Sequence, residues 1–349
     1  MFCTYRWQKE IQSEGPSMRK RLSIGLVIIT LLVFTGFFGR LANAEKSVKT
    51  LLIGYVPLIS QLPLVVSYDN DKLNYLNVKV RLVKFRSFTS LEAALRVGAI
   101  DIADLPLPVV FNMAGDGINI RIIGQCHLGG SVFEGVGFSG LSDLKAKIIG
   151  VPGLRSNENL ELIRILSQEK LRYGLDYKTI KVPFNTILQN LQAGRINAMY
   201  FPEPYGSMAE NNHLVMLMDN QEKDLSGRLT TVLTVRAELL QEQYRGAMEE
   251  WVRSLTEACS FIEDDIKNLS AQQTAIIQEP YFGFKRDVIS SSLVKRRGKI
   301  HFSYAMPEKK LLRLYLQQVA DAKTVLQKID IDTLISFDFS GKQGESSPQ

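Results

Sequence analysis

The chain has 349 residues, a formal net charge of +6, three Cys and three His. The basic excess sits at the start: residues 1–44 hold six of the 42 Lys and Arg and two of the 36 Asp and Glu, which leaves +2 for the remainder. That balance removes charge as an argument for nucleic-acid binding, and the isolated His127, His213 and His301, with no CxxC, offer no metal motif.

In chain order, a leader comes first. Met18-Arg19-Lys20-Arg21 is a basic n-region, Leu22 to Phe38 is an apolar run of 17 residues, and Ala42-Asn43-Ala44 is a small-x-small cleavage motif. Residues 1–44 are therefore predicted to be a leader containing a cleaved signal peptide over 18–44, with Met1 and Met18 both open as the start. An uncleaved anchor is the alternative, against which stand the short apolar run and the cleavage motif. No Cys follows that motif, which argues against a lipid anchor.

Two stretches then share one grammar 96 residues apart: FTSLEAALRVGAIDIADLPLP from Phe88 and FNTILQNLQAGRINAMYFPEP from Phe184. In the first, Val78 to Phe85 reads as a strand, Ser90 as an N-cap, and Leu91, Ala94, Leu95 and Val97 as one helical face. Gly98 stands where a left-handed residue ends the helix, Ile100 to Ala103 is the next strand, and Pro106 opens the next helix. Thr186, Gly194, Ile196 to Tyr200, and Pro202 repeat the pattern. Alternating strands and helices predict two α/β lobes in series, each with a parallel sheet, whether the echo is a true repeat or shared α/β punctuation.

Beyond Val235 the chain reads as helical. Leu240, Tyr244, Trp251, Leu255 and Ile262 form one apolar stripe, and Leu312, Tyr315, Leu316 and Val319 another; both read as core. Cys126 and Cys259 are expected to be independent buried thiols, although an oxidising compartment permits their pairing. The run Lys295, Arg296, Arg297 and Lys299 reads as a solvated helix end.

LEAALRVGAID with its Pro-led continuation, GLSDLKAKIIGVPG with a helix opening near Ser156, and LQAGRINAMYFPEPY together resemble the substrate-binding proteins of nitrate, sulfonate, taurine and bicarbonate ABC importers. That group includes binders of thiamine-pyrimidine precursors. The resemblance runs from Leu51 to about Phe339. It implies a two-lobed type II periplasmic-binding fold, each lobe a mostly parallel sheet flanked by helices, with a helical C-terminal extension on lobe one. Residues 45–126 and 231–340 would form lobe one, 134–229 lobe two, and 341–349 a polar tail. It further implies a monomeric periplasmic protein that captures a small anionic or heteroaromatic solute by hinge closure and delivers it to a permease and ATPase at the inner membrane, with no cofactor. A sensor subunit without transport and an enzyme on the same fold are the alternatives. Two departures keep the ligand from being carried over: Ala146 replaces the family's Gly in Asp143-Leu144-Lys145-Ala146-Lys147, and Gly153-Leu154-Arg155-Ser156 is longer and more charged than the usual opening of the lobe-two helix.

Ligands of open parallel sheets lie beyond the carboxyl ends of the strands. In lobe one those loops hold Pro57 and Gln61, then Phe88, Thr89 and Ser90, then Asp104, then Gln125. In lobe two they hold Arg155, Ser156 and Asn157, then Phe184, then Tyr200 and Glu203. Ser90, Ser156 and Thr186 either cap helices, touch ligand, or do both. Arg155 is the cationic candidate. Glu203 either complements a helix start or accepts a proton-bearing group, in which case it repels nitrate and sulfate. Gln61 and Gln125 both donate and accept. Phe88, Phe184 and Tyr200 make aromatic walls or belong to the core. Ligand choice is expected where the copies differ, at Asp104 against Tyr200 and Leu107 against Glu203.

Overall fold

The computed structural model describes residues 48–210, 215–219, 229–295, 299–321, 329–335 and 339. The expected leader, the expected polar tail, His213 and the middle of the basic run at 295–299 lie outside them; Lys295 itself pairs with Glu210 at 2.9 Å.

The first group of elements is β1 (Lys49–Tyr55), α1 (Leu62–Asp71), β2 (Val78–Lys84), α2 (Phe88–Arg96), β3 (Ile102–Pro106), α3 (Leu107–Gly115) and β4 (Ile120–Gly129). The second is β5 (Ser131–Gly135), β6 (Ile148–Val151), α4 (Asn157–Gln168), β7 (Lys178–Lys181), α5 (Ile187–Gln192), β8 (Ala198–Pro202), α6 (Tyr205–Glu210) and β9 (Val215–Asp219). The chain then returns through β10 (Thr231–Arg236), α7 (Glu242–Leu269), α8 (Gln272–Phe282), α9 (Arg286–Lys295), β11 (Ile300–Ala305), α10 (Lys309–Asp321) and α11 (Ile331–Leu334).

Two sheets result, in the orders β11-β4-β10-β3-β1-β2 and β7-β6-β8-β5-β9. Neither is purely parallel. In sheet one, β10 inserts antiparallel between β3 and β4; in sheet two, β5 inserts antiparallel between β8 and β9. In each sheet an inverted strand is the one with which the chain enters that lobe from the other, and in sheet one β11 also runs antiparallel to β4 at the edge; the pairs among β1, β2, β3 and among β6, β7, β8 are parallel.

The 96-residue echo holds at the level of register. Ile53 and Gly54 pair with Ile102 and Ala103, and Ile149 and Gly150 pair with Ala198 and Met199. The packing repeats as well: a Cβ on Gly54 would lie 2.4 Å from Leu91 Cδ1 and 2.5 Å from Ile100 Cδ1, and one on Gly150 would lie 3.0 Å from Ile187 Cδ1 and 2.8 Å from Ile196 Cδ1. Each glycine lets the same two apolar side chains close over the strand.

The helix starts differ from expectation in detail. Ser87, with extended backbone, caps α2 by accepting from Ser90 N–H at 3.2 Å, so Ser90 lies inside the first turn. Pro106 closes β3 and Pro108 occupies the first turn of α3; Pro202 closes β8, and α6 begins at Tyr205. Gly98 and Gly194 end their helices at φ of 72° and 66°. The C-terminal helices cover sheet one. Trp251, Leu255, Ala258 and Ile262 of α7 are all buried in one core with β1 and α1, and Glu250 holds the turn before β2 by accepting from Leu76 and Asn77 N–H at 2.8 and 2.7 Å. Cys126 and Cys259 are free thiols in that core.

Candidate functional site

Strand ends from both lobes converge on two adjoining cavities that share Phe88 and Pro106 as walls. The outer one, about 260 Å³, is bounded by Phe88, Thr89, Glu92 and Val109 of lobe one and by Pro152 to Ser156 and Lys181 of lobe two. The inner one, about 10 Å³, lies against the crossovers, between His127, Thr230 and Thr231 on one side and Ser131, Asn157 and Glu158 on the other. That volume admits one water-sized group.

Four contacts bridge the lobes around these cavities. The Arg155 guanidinium lies 3.2 Å from the Glu92 carboxylate, and Lys181 Nζ donates to Thr89 Oγ1 at 3.1 Å. The Phe88 and Phe184 rings meet edge to face with centroids 6.1 Å apart, and Ile59 N–H donates to the Glu203 carbonyl at 3.1 Å. The chain passes between lobes at Gly129 and Gly130, with φ of 78° and 92°; a Cβ on Gly129 would stand 2.2 Å from the Lys299 carbonyl oxygen. Backbone shape favours glycine at both positions, and space requires it at Gly129.

The inner cavity is rich in acceptors and poor in positive charge. His127 is buried, its Nε2 is hydrogen-bonded to Thr230 Oγ1, and its Nδ1 has no partner. Burial pushes its pKa down to about 3, so the ring is neutral. Glu158 is buried without a salt bridge among the described residues; burial raises its pKa, against the pull of its own N–H and the Ser131 and Ser156 hydroxyls. Ser131 Oγ donates to Glu158 Oε1 at 2.8 Å, and Asn157 Oδ1 is buried without a partner. Behind Thr231, whose hydroxyl donates to Asp104 Oδ2 at 2.6 Å, Asp104 is pushed up to about 7 by burial.

Of the residues expected at the site, Phe88, Thr89, Arg155 and Ser156 border the outer cavity, and Phe88 and Asn157 the inner one. Ser156 also caps α4, accepting from Asn159 N–H at 3.2 Å. Phe184 is buried in a cluster with Phe88, Phe201 and Tyr205 behind the wall. The other expected residues border neither cavity. Gln61 and Asp104 are bonded to each other at 2.8 Å, Gln125 is buried in β4, and Pro57 is half-buried after β1. Ser90 is exposed and turns back to the Ser87 carbonyl. Tyr200 is turned by strand alternation into the lobe-two core, where its hydroxyl donates to Glu161 at 2.6 Å. Glu203 is fully buried and its carboxylate accepts from Ser207 N–H and Oγ at 2.8 and 2.9 Å, which makes it a helix-start group of α6.

Sequence reading missed Glu92, Lys181, Glu158, Ser131 and the pair His127 and Thr230. Glu92 sits mid-helix, where only the opposite lobe gives it a role. For the last three the signal was present, since they fall between the expected lobes, at 127–133 and 230.

The profile of the NMT1-like family matches residues 44–277, more than half of the sequence. The chain belongs to the NMT1-like family. This NMT1-like chain is 24% identical over 233 residues to the nitrate import ATP-binding protein NrtC of Synechocystis, a match covering 61% of this chain and 35% of that one, so it spans about a third of that relative's length. Among solved structures it resembles the ligand-binding component of an ABC-type import system from Staphylococcus aureus, with TM-score 0.74 and 21% identity, covering 85% of this chain and all of the other. It also resembles the periplasmic aliphatic sulphonate binding protein SsuA from Escherichia coli, with TM-score 0.68 and 20% identity, covering 82% and 97%. These likenesses establish the two-lobed periplasmic-binding fold.

Proposed function

We propose that this NMT1-like protein is the solute-binding component of an ABC-type importer, acting in the periplasm as a monomer and handing its solute to a membrane permease driven by an ATPase. The observation that carries the reading is a cleft walled by strand-end loops of both lobes, whose lining includes His127 and Asn157, each with a buried unpartnered polar atom, beside the two crossovers. The roles of the relatives, import ATP binding, import ligand binding and sulphonate binding, support it.

The mechanism follows from differential affinity. A solute that touches both Pro152–Ser156 and Phe88–Glu92 is fully contacted only when the lobes are together, so its binding favours that state. No bond in the solute need be made or broken, and consumption of a bound compound would contradict this reading. The experiment is native mass spectrometry of the purified protein for a carried-over solute, followed by titration with anions, sulfonates and pyrimidines under small-angle X-ray scattering. A solute that binds and reduces the radius of gyration is the expected result; saturation with no change in shape would remove the closure mechanism.

A further inference from the structure

We propose that the inner cavity is the seat of a single primary ammonium group, so that the solute is a small amine with a partly apolar body and not a proton-free oxyanion. This rests on the solute-binding reading above and narrows it. Three observations meet here. With the lobes as they stand, the inner cavity holds one water-sized group, which matches –NH₃⁺ better than the larger head of a nitrate, sulfonate or carboxylate. Two of the residues that line it carry buried polar atoms without a partner, Asn157 Oδ1, an acceptor, and His127 Nδ1, which accepts when Nε2–H donates to Thr230 Oγ1. Its one acid, Glu158, is buried with hydroxyl and backbone donors around it but no cation. An ammonium brings three donors and a positive charge, and so answers both needs.

An anion meets the opposite conditions. At the inner cavity it would face Glu158 and a neutral imidazole. The cations of the outer cavity are already engaged, Arg155 with Glu92 and Lys181 with Thr89, and Arg155 is 43% exposed. The outer cavity offers apolar wall from Phe88, Pro106, Val109, Pro152 and Leu154, which suits the hydrocarbon body of an amine.

The test is a thermal-shift and calorimetric titration of the purified protein with matched probes: benzylamine, benzyl alcohol, benzyltrimethylammonium, nitrate and ethanesulfonate. Benzylamine is expected to bind, and benzyltrimethylammonium, equally charged but without N–H and too large for the inner cavity, to bind at least about tenfold more weakly or not at all. Glu158→Gln should weaken benzylamine at least about tenfold. The methylated probe keeps the test decisive in the wild-type protein if that variant fails to fold. Binding of nitrate or ethanesulfonate without benzylamine overturns the inference and leaves the solute-binding reading standing. Equal affinity for benzylamine and its trimethyl form overturns it too, reducing the inner cavity to a water site. Silence from every probe, with no carried-over solute in the mass spectrum, removes both.

Discussion

Burial shifts Asp104 and His127 in opposite directions, each towards its neutral form. The Asp104 carboxyl, raised to about 7 from 3.8 by burial, keeps its proton in the folded state over a range where the unfolded chain has lost it. Its contribution to stability is therefore present below about pH 3.8 and is lost as pH rises through 7. His127 works the other way. Neutral when folded, it takes up a proton on unfolding between about pH 6.5 and 3, so acid costs stability in that window. Asp104→Asn keeps an acceptor for Thr231 and Gln61 and removes the cost of ionisation. It is expected to stabilise the protein by roughly 3–4 kcal/mol at about pH 8 and by nearly nothing at about pH 4, measured by denaturant titration at both. The thiols give a second test at this scale. Burial, then the neighbouring Cys259, push the Cys126 thiol well above its ordinary value. Neither Cys126 nor Cys259 is expected to react with iodoacetamide in the native protein, while both should be modified in guanidinium chloride. Labelling of the folded protein would show that α7 opens from sheet one.

At the scale of the element, the repeated strand–helix–strand unit is the best test of the packing. Gly54→Ala places a methyl against Leu91 and Ile100, and Gly150→Ala does so less tightly against Ile187 and Ile196. Both should destabilise by about 1–3 kcal/mol, with Gly54→Ala the worse, readable as a shift of the urea midpoint. This unit was legible in the sequence because its cues are local: an apolar helical face, a left-handed glycine, a following strand. The helix starts were less so, because Ser87 and Ser90 are both capable caps and the backbone of Phe88 decides between them. Nothing local to Ser131–Gly135 or Thr231–Arg236 states the direction of β5 or β10. Direction follows from which strands they enter between, a property of the assembled sheets. The cavity walls were legible where loops announced them, at Phe88, Thr89, Arg155, Ser156 and Asn157. The inward facing of Tyr200, which depends on strand alternation, and the place of Glu92, whose partner belongs to the other lobe, were not.

At the scale of the molecule, the bridge between lobes rests on few polar contacts, and Glu92 carries one of them. Its carboxylate holds Arg155 across the cleft at 3.2 Å and Arg96 on its own helix at 2.9 Å. Glu92→Ala removes the cross-cleft pair while Arg96 keeps Asp116 as a partner. With Arg155 partly in solvent, the pair is worth up to about 1 kcal/mol, so the ratio of bridged to open molecules should fall by up to about fivefold. Scattering without solute is expected to show a larger mean radius for the variant, and a bound solute should restore it.

The placement of β10 also sets an order of events. Sheet two is complete once the chain has reached Asp219, since β5 through β9 are contiguous. Sheet one is not: until Thr231–Arg236 arrives, β3 and β4 have no strand between them, and the outer edge of β4 waits longer still, for β11. A chain that emerges from its amino end therefore has its first residues waiting on its last third, and the lobe encoded second is the one that can finish first. The cleft, which needs Thr230 and Thr231 beside His127, comes into being only after both.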